Sequence, residues 1–320
     1  MLSTEQETSQ PSLLTLARSG AAEDLYANFR ARADSSLYYF NKVVLGYAQN
    51  VDYLHLPMCQ HLQETEGKQK RGYLYPRGHF KSTNISKGYP LWRLTKNPNL
   101  RVAVVGESGP VAAKNLRDTK WHITKNDMFR WLYPELIPED VNKTKWTDSE
   151  ILLPREKSFD ESSITTIGVG AKTTGFHYDL IIYDDIIGLV AAESAPEMES
   201  ALEWFKLAPG MLHDPAISEE VFVGTRWLYG DQDIYGWEME HMGEFEWLIR
   251  SAIEDEQPIF PERFSLKTLD GIRRREGDYR FSCQYMNKPI PSGGQAFDAE
   301  WLQTYNVSED LTSIVISNVN

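Results

Sequence analysis

Cysteine is scarce in this sequence, which contains only Cys59 and Cys283. The two residues are far apart and have no close His partners, so the sequence argues against a disulfide framework and against a zinc site. Long apolar runs are also missing, since none approaches the roughly 20 residues that span a bilayer. Because a secretory leader is absent as well, the sequence predicts a soluble intracellular protein that makes no membrane contact.

Positive charge is in the minority. Lys and Arg number 33 against 46 Asp and Glu, a net charge of −13, which argues against coating nucleic acid through bulk charge. A local basic patch is still compatible with DNA binding. Lys143 and Lys145 lie in a basic and aromatic segment that could contact a DNA backbone, or that forms a solvated loop anchored by Trp146. The arginines at 273–275 are a second candidate, or one solvated helix face.

The apolar content is high enough for a large core. Hydrophobic residues make up 41% of the 320 residues, which is ample for one large domain or for one domain with a small appendage. Continuous apolar runs at 101–106 and 178–183 are typical of parallel strands that are buried on both faces. Segments with helical spacing alternate with these runs, so the sequence predicts an α/β fold with a mainly parallel central sheet flanked by helices.

The stretch 75–83 predicts a phosphate-binding loop. A short apolar and aromatic strand at 73–75 leads into a Gly-containing turn and then into a helix, and a helix N-terminus favours anions. Lys81 would reach the β- and γ-phosphates of a nucleotide, and the Ser82 hydroxyl would ligate Mg²⁺. Phe80 replaces the Gly that usually precedes the lysine of a P-loop. The pattern Gly-x-x-Lys-Ser is therefore a weak signal when taken alone.

A second signal follows later in the chain. The run 178–187 consists of an apolar strand that ends in Asp184 and Asp185, and the carboxyl ends of such strands open into the ligand crevice of a doubly wound sheet. One carboxylate there can hold Mg²⁺ and the next can polarise the attacking water. The alternative is that both residues only open a turn. The order of the two signals favours a nucleotide site.

Three further polar residues have two interpretations each. Thr225 ends the predicted strand 220–225 and either senses the γ-phosphate or is an ordinary strand-end residue. Arg226 is a second choice for an arginine that reaches the γ-phosphate, or the partner in a structural ion pair. Gln60 could read the edge of adenine with paired donor and acceptor groups, or lie on the surface of a helix.

Composition divides the chain into four parts. Residues 1–22 are rich in Ser, Thr, Gln and Glu and predict a disordered lead-in. Residues 23–245 predict the P-loop core, and 246–290 predict a small α-rich lid or linker subdomain. Residues 291–320 predict a hinge followed by the first strand of a further domain that this chain does not contain.

The order of these motifs resembles the ATPase half of the large terminase subunit of tailed bacteriophages, the motor that packs double-stranded DNA into a procapsid. The similarity runs from about residue 53 to residue 305. Its most specific pieces are 76–83, 179–185, 224–227, 260–264, 279–281 and 284–285. The late pieces distinguish this family from other P-loop proteins.

The resemblance implies an ASCE-type P-loop NTPase with a C-terminal lid or linker subdomain, using ATP and Mg²⁺. The implied nucleotide-binding residues are Pro76, Arg77, Gly78, His79, Phe80, Lys81, Ser82, Thr83 and Gln60. Ser82 and Asp184 are the implied Mg²⁺ ligands. Asp185 takes the position of the catalytic carboxylate, Arg77 and Lys81 act on the phosphates, and Thr225 belongs to the motif that couples hydrolysis to movement.

The resemblance also implies partners and a location. These are double-stranded DNA, a portal protein, a small terminase subunit and further copies of the chain in a ring, in the cytoplasm of the host cell. Relatives continue into a nuclease domain, whose metal cluster we do not expect in this chain. Two alternatives stay open: a helicase-like or remodelling ATPase, for which strand-separating motifs are missing, and a non-catalytic nucleotide-binding scaffold, in which Phe80 and Asp185 are signs of decay.

Overall fold

The central element is a seven-stranded sheet with the strand order β3-β4-β2-β5-β6-β1-β7. It belongs to a computed structural model that describes residues 21–291 and the short strands at 304–307 and 314–317. β3 is antiparallel to β4, and the other neighbouring strands are parallel. The strands are β1 (Lys70–Leu74), β2 (Val102–Gly106), β3 (Glu150–Ile151), β4 (Ile164–Gly168), β5 (Leu180–Asp184), β6 (Glu219–Gly224) and β7 (Glu246–Ile249).

Helices cover both faces of this sheet. They are α1 (Ala21–Ser35), α2 (Leu37–Tyr39), α3 (Asp52–Glu64), α4 (Tyr89–Lys96), α5 (Gly109–Lys125), α6 (Asp127–Leu132), α7 (Leu189–Glu193), α8 (Ala195–Leu207), α9 (Ile234–Trp237), α10 (Leu266–Glu276) and α11 (Asp278–Gln284). π-Helical turns occur at Phe40–Val44, Thr83–Gly88 and Glu238–Met242, and 3₁₀ turns at Pro134–Leu136, Val141–Lys143, Ala208–Met211 and Gly230–Gln232. The predicted mainly parallel α/β architecture is confirmed.

The central strands are apolar throughout because both of their faces are covered. Along β5, Leu180 and Ile182 point to a cluster shared with the first helices of the chain, whereas Ile181 and Tyr183 point to a cluster shared with α8 and α9. Every residue of β5 and β6 is buried. This alternation between two cores explains why the sequence shows continuous apolar runs rather than apolar and polar residues in turn.

The parallel strands bring their carboxyl ends to one edge of the sheet. β6 lies between β1 and β5, with Leu74 opposite Gly224 and Asp184 opposite Val223. β2 lies on the other side of β5 and pairs Val105 with Tyr183. The loops that follow these strands therefore meet at this edge, which is the ligand-binding edge of open parallel sheets.

The C-terminal part has a small apolar cluster of its own, formed by Ala252, Leu269, Ile272, Phe281 and Tyr285. Its elements are α10, α11 and the hairpin of β8 (Ile253–Glu254) and β9 (Gln257–Pro258). The predicted boundary at residue 245 needs a correction. β7 pairs in parallel with β1, so the central sheet continues to Ile249 because this strand completes its edge.

Two predicted segments lie largely outside the described residues. The lead-in 1–22 is described only at its end, and the hinge at 292–294 is not described. Further on, β10 (Thr304–Val307) and β11 (Ile314–Ser317) form an antiparallel pair. A strand is therefore present near residue 314 as predicted, and β10 precedes it. None of the helices among the described residues combines the length and the apolar character that crossing a bilayer requires.

Candidate nucleotide site

The phosphate-loop candidate connects β1 to a continuous helical segment that begins at Lys81. Two residues of the loop have left-handed backbones, Gly78 with φ 79° and Phe80 with φ 56°. These two turns reverse the chain tightly enough for the helix to start beside the end of β1. The first N–H groups of a helix have no partner within it, so the backbone after Phe80 presents donors at the sheet edge.

The structure brings the phosphate loop and the paired acids into direct contact. Ser82 Oγ donates a hydrogen bond of 2.7 Å to Asp184 Oδ1, and Lys81 Nζ lies 3.1 Å from Asp185 Oδ2. The Lys81 side chain is 7% exposed, so its charge is held inside the fold rather than solvated. A lysine, a hydroxyl and two carboxylates thus converge where β1 and β5 end.

Burial raises the pKa of Asp184, and the adjacent Asp185 carboxylate raises it further. The hydrogen bond from Ser82, the charge of Lys81 and a hydrogen bond from Asn115 act in the opposite direction. Asn115 Nδ2 donates to Asp184 Oδ2 at 2.7 Å, so both carboxylate oxygens are oriented by the protein. A cation at this point would relieve the cost of two neighbouring carboxylates.

The donor set fits Mg²⁺, which prefers hard oxygen ligands from one or two protein groups and completes its shell with water and phosphate. The Ser82 hydroxyl and the Asp184 carboxylate already lie within hydrogen-bond distance of each other, so one small cation could contact both. Among the described residues, Asp231, Glu240 and His241 also place three metal-ligating groups close together, and all three are exposed. This cluster lies on the surface and shares no residue with this site.

The C-terminal part covers the front of the phosphate loop. Arg77 N donates to Gln284 O at 3.0 Å, and Arg77 Nη1 donates to Gln284 Oε1 at 2.8 Å. Phe264 stacks on His79 with ring centroids 4.8 Å apart and 4° between the planes. Gly78 leaves space for this ring, because a Cβ there would lie 2.8 Å from Phe264 Cζ. Arg77, predicted to act on the γ-phosphate, is therefore bound to Gln284 in this structure.

Two aromatic rings make the loop unusual. Burial lowers the pKa of His79 to about 4, so its imidazole is neutral near pH 7. Phe80 contacts His55 and Phe260, with ring centroids 5.8 Å away in each case. The Arg263 guanidinium lies 4.8 Å from the centre of the Phe80 ring. Packing thus holds Phe80 in a backbone conformation that usually requires glycine.

Asn84 fixes the loop from beneath. Its side chain donates to Phe80 O at 3.0 Å and to Asn50 Oδ1 at 3.1 Å. Its Oδ1 accepts from Asn41 at 3.1 Å and from Asn50 at 2.7 Å. These three asparagines are buried and connect the loop to the segments around 41 and 50. Sequence reasoning missed this network, because single asparagines far apart in a sequence carry no pattern.

Thr225 and Arg226 follow β6, between the two halves of the site. Thr225 is buried where the prediction placed a γ-phosphate sensor. Arg226 binds Asp233, with Nε 3.0 Å from each carboxylate oxygen, and it donates to Gly230 O at 2.6 Å. Arg226 thus forms the structural ion pair that the sequence offered as one of its two interpretations.

A cavity of about 380 Å³ borders the phosphate loop and is lined by Phe80, Thr83 and the segment 46–50. Gln60, the predicted adenine contact, is exposed on α3 and does not line this cavity. Gln49 and Tyr47 do. They belong to the loop between α2 and α3, and the sequence offered no periodic signal that would connect this loop to the phosphate loop.

The two lysines predicted to touch DNA have different surroundings. Lys143 is highly exposed and lines a cavity of about 690 Å³ together with Arg155 and Lys157. Lys145 is half exposed and forms an ion pair of 2.8 Å with Glu150. Of the arginines at 273–275, Arg273 forms an ion pair with Asp278 and Arg274 with Asp270. Such local ion pairs are typical of a solvated helix face.

Comparison with models of known protein families gives no match, and comparison with curated proteins gives none either. The similarity of the motifs to phage terminases is therefore supported by the residues of this chain alone.

Proposed function

We propose that this chain is an Mg²⁺-dependent P-loop ATPase and serves as the motor domain of a phage terminase large subunit that translocates double-stranded DNA. The observation that carries the proposal is the contact between two segments far apart in sequence: Ser82 with Asp184 at 2.7 Å and Lys81 with Asp185 at 3.1 Å. These four side chains are the types that phosphoryl transfer requires, and they stand at the carboxyl edge of a parallel sheet.

The side chains would divide the work as follows. Lys81 and the N–H groups of the first helical turn would bind the phosphates, and Ser82 with Asp184 would hold Mg²⁺, which would neutralise phosphate charge. To bind phosphate, Lys81 would break its ion pair with Asp185. Thr225 is buried at the end of β6, between the phosphate loop and the paired acids. A change at the γ-phosphate could therefore shift Thr225 and, with it, β6. The base would enter the cavity lined by Tyr47 and Gln49.

The proposed link to DNA has two supports. One is the resemblance of the motifs to terminases, and the other is the contact between the C-terminal part and the phosphate loop. Arg77 binds Gln284 and Phe264 stacks on His79, so the C-terminal part contacts the loop that would hold the nucleotide. A movement of the phosphate loop would therefore displace the C-terminal part. The DNA contact of a packaging motor has to be indifferent to sequence. Portal protein, small subunit and a ring of copies complete the proposal, in the host cytoplasm.

Steady-state ATP hydrolysis and binding of a fluorescent ATP analogue, each with and without linear duplex DNA, test the ATPase. We expect Lys81→Ala to abolish turnover and to weaken nucleotide binding, because the phosphates lose their cation. Asp184→Asn should lose the Mg²⁺ dependence of binding. Lys206→Ala is the matched control, since Lys206 is a surface residue that pairs with Glu203. Wild-type turnover by Lys81→Ala would remove the proposed site.

A second assay tests the motor. Translocation along duplex DNA should displace a third strand from a triplex without separating the duplex, whereas a helicase separates a forked duplex. Hydrolysis that depends on neither substrate, with no displacement of either kind, would leave an ATPase but would contradict the DNA motor.

A further inference from the structure

A third carboxylate, Glu107, reaches the edge where the proposed ATP site lies. It directly follows β2, which pairs with β5 so that Val105 is opposite Tyr183. Continuing that register places Glu107 at the level of Asp185. Its side chain lies against Gly188, because a Cβ built there would be 2.3 Å from Glu107 Oε1 and 2.4 Å from Oε2. The Glu107 carboxylate therefore lies against the backbone of the segment that follows Asp184 and Asp185.

Close packing holds the turn that carries Glu107. A Cβ at Gly106 would lie 3.1 Å from Ala112 N, and a Cβ at Gly168 would lie 2.4 Å from Gly109 N. Val169 N also donates to Gly106 O at 3.1 Å. The start of α5 thus sits tightly between β2 and β4. A side chain on this turn has a well-defined position, as a group that orients a reactant requires.

The other two carboxylates at this edge differ in their contacts. Asp184 accepts hydrogen bonds at both oxygens, from Ser82 and Asn115. Asp185 pairs with Lys81 through Oδ2, and within the described part of the chain its buried Oδ1 has no hydrogen-bond partner. Asp185 also has a left-handed backbone with φ 45°, so the chain turns sharply at this residue. Glu107 is exposed, and within the described part of the chain its carboxylate forms no ion pair or hydrogen bond.

We infer that Glu107 is the carboxylate that orients the attacking water and accepts its proton, an inference that rests on the proposed ATPase function. The water oxygen forms a bond to the γ-phosphorus while the bond from that phosphorus to the bridging oxygen breaks, and the electron pair leaves with ADP. The proton passes to Glu107 and then to solvent. Asp185 instead serves as the partner of Lys81 when no nucleotide is bound.

Glu107→Gln tests this, since it keeps the shape of the side chain and removes the base. We expect kcat to fall about 100-fold or more, the contribution typical of a general base, while the Kd for the fluorescent ATP analogue with Mg²⁺ and the unfolding temperature stay at wild-type values. Asp185→Asn should lose less kcat than Glu107→Gln. Glu199→Gln, on the exposed side of α8, is the matched control and should behave as wild type.

A second variant protects the test from a folding defect in Glu107→Gln. Gly188→Ala places a methyl group where the Glu107 carboxylate lies and should lower kcat by displacing it, with nucleotide binding retained. In the Glu107→Gln background the same change should have no further effect on kcat, since the two alter one group. Additive losses, or a loss of binding equal to the loss of kcat, would overturn the assignment.

Failure of the proposed ATPase function and failure of the role of Glu107 give different results. A wild-type chain that neither binds nor hydrolyses ATP contradicts the proposed function and this inference with it. A wild-type chain that hydrolyses ATP, with Glu107→Gln at the wild-type kcat or with Asp185→Asn as the more damaging change, contradicts only the role of Glu107.

Discussion

Replacing Phe80 by glycine and by alanine tests whether the phosphate loop stores backbone strain. Phe80 has φ 56°, in the left-handed region that costs a residue with a Cβ roughly 1–2 kcal/mol. At ordinary positions alanine is the more stabilising of the two by about 0.5–1 kcal/mol, since glycine loses more freedom on folding. The order of the two variants should therefore reverse at this position.

The magnitude follows from the contacts of the ring. Both variants lose the packing against His55 and Phe260 and the stacking of Arg263. Because Phe80 is only partly buried, Phe80→Ala should cost about 2 kcal/mol, less than the roughly 3–5 kcal/mol of a fully buried phenylalanine. Phe80→Gly loses the same contacts but is released from the strain. Its free energy of unfolding should be about 1 kcal/mol higher than that of Phe80→Ala.

Urea unfolding followed by tryptophan fluorescence measures both free energies. Glu199→Ala and Glu199→Gly provide the control on an exposed helical position, where alanine should be the more stable by about 1 kcal/mol. The comparison of the two pairs isolates the backbone, because the ring contacts cancel. Equal stability of Phe80→Gly and Phe80→Ala, or the order seen at Glu199, would refute the argument that packing holds the loop in a glycine conformation.

Three other predictions concern charge. Because the folded pKa of His79 is about 4 against an ordinary 6.5, the unfolded chain binds more protons between these pH values; stability should fall by up to about 3 kcal/mol from pH 6.5 to 4, and by less in His79→Phe, as urea midpoints will show. Asp233→Ala leaves Arg226 buried and unpaired and should cost about 3–5 kcal/mol in thermal or urea unfolding. Reversing Lys143 and Lys145 to Glu should weaken duplex binding and flatten its salt dependence; an unchanged slope assigns them to ordinary surface.

The sequence predicts the sheet well because its central strands are buried on both faces. Continuous apolar runs such as the one ending in Asp184 and the one ending in Gly106 are typical of strands inside a parallel sheet, and their short length argues against a buried helix. β7 carries a weaker signal in the sequence. Its residues are half-buried or exposed, as those of edge strands are, and such a pattern does not show which neighbour the strand pairs with.

The candidate site also contains residues that the sequence predicts and residues that it does not. Lys81, Ser82 and the two acids belong to short motifs whose spacing has a chemical reason, so the sequence alone could bring them together. Asn115 and Gln284 act through contacts between distant segments and carry no motif of their own. Gln60 was chosen by its residue type for a base contact. The structure places it on the exposed side of α3, whereas the cavity beside the phosphate loop is lined by the segment 46–50.

Three of the proposed nucleotide-binding side chains have partners within the protein: Lys81 with Asp185, Ser82 with Asp184, and Arg77 with Gln284. In the proposed site the first two partners would lie beside the phosphates and would remain near when a nucleotide and Mg²⁺ bind. Gln284 belongs to the C-terminal part, so a movement of Arg77 Nη1 to a phosphate would release Gln284 Oε1. A hydrogen bond to a charged group contributes about 1.5–3 kcal/mol, and a ligand shifts an equilibrium only by its differential affinity. In the proposed motor, the gain of Arg77 at the phosphate would therefore have to exceed this amount before hydrolysis could move the C-terminal part.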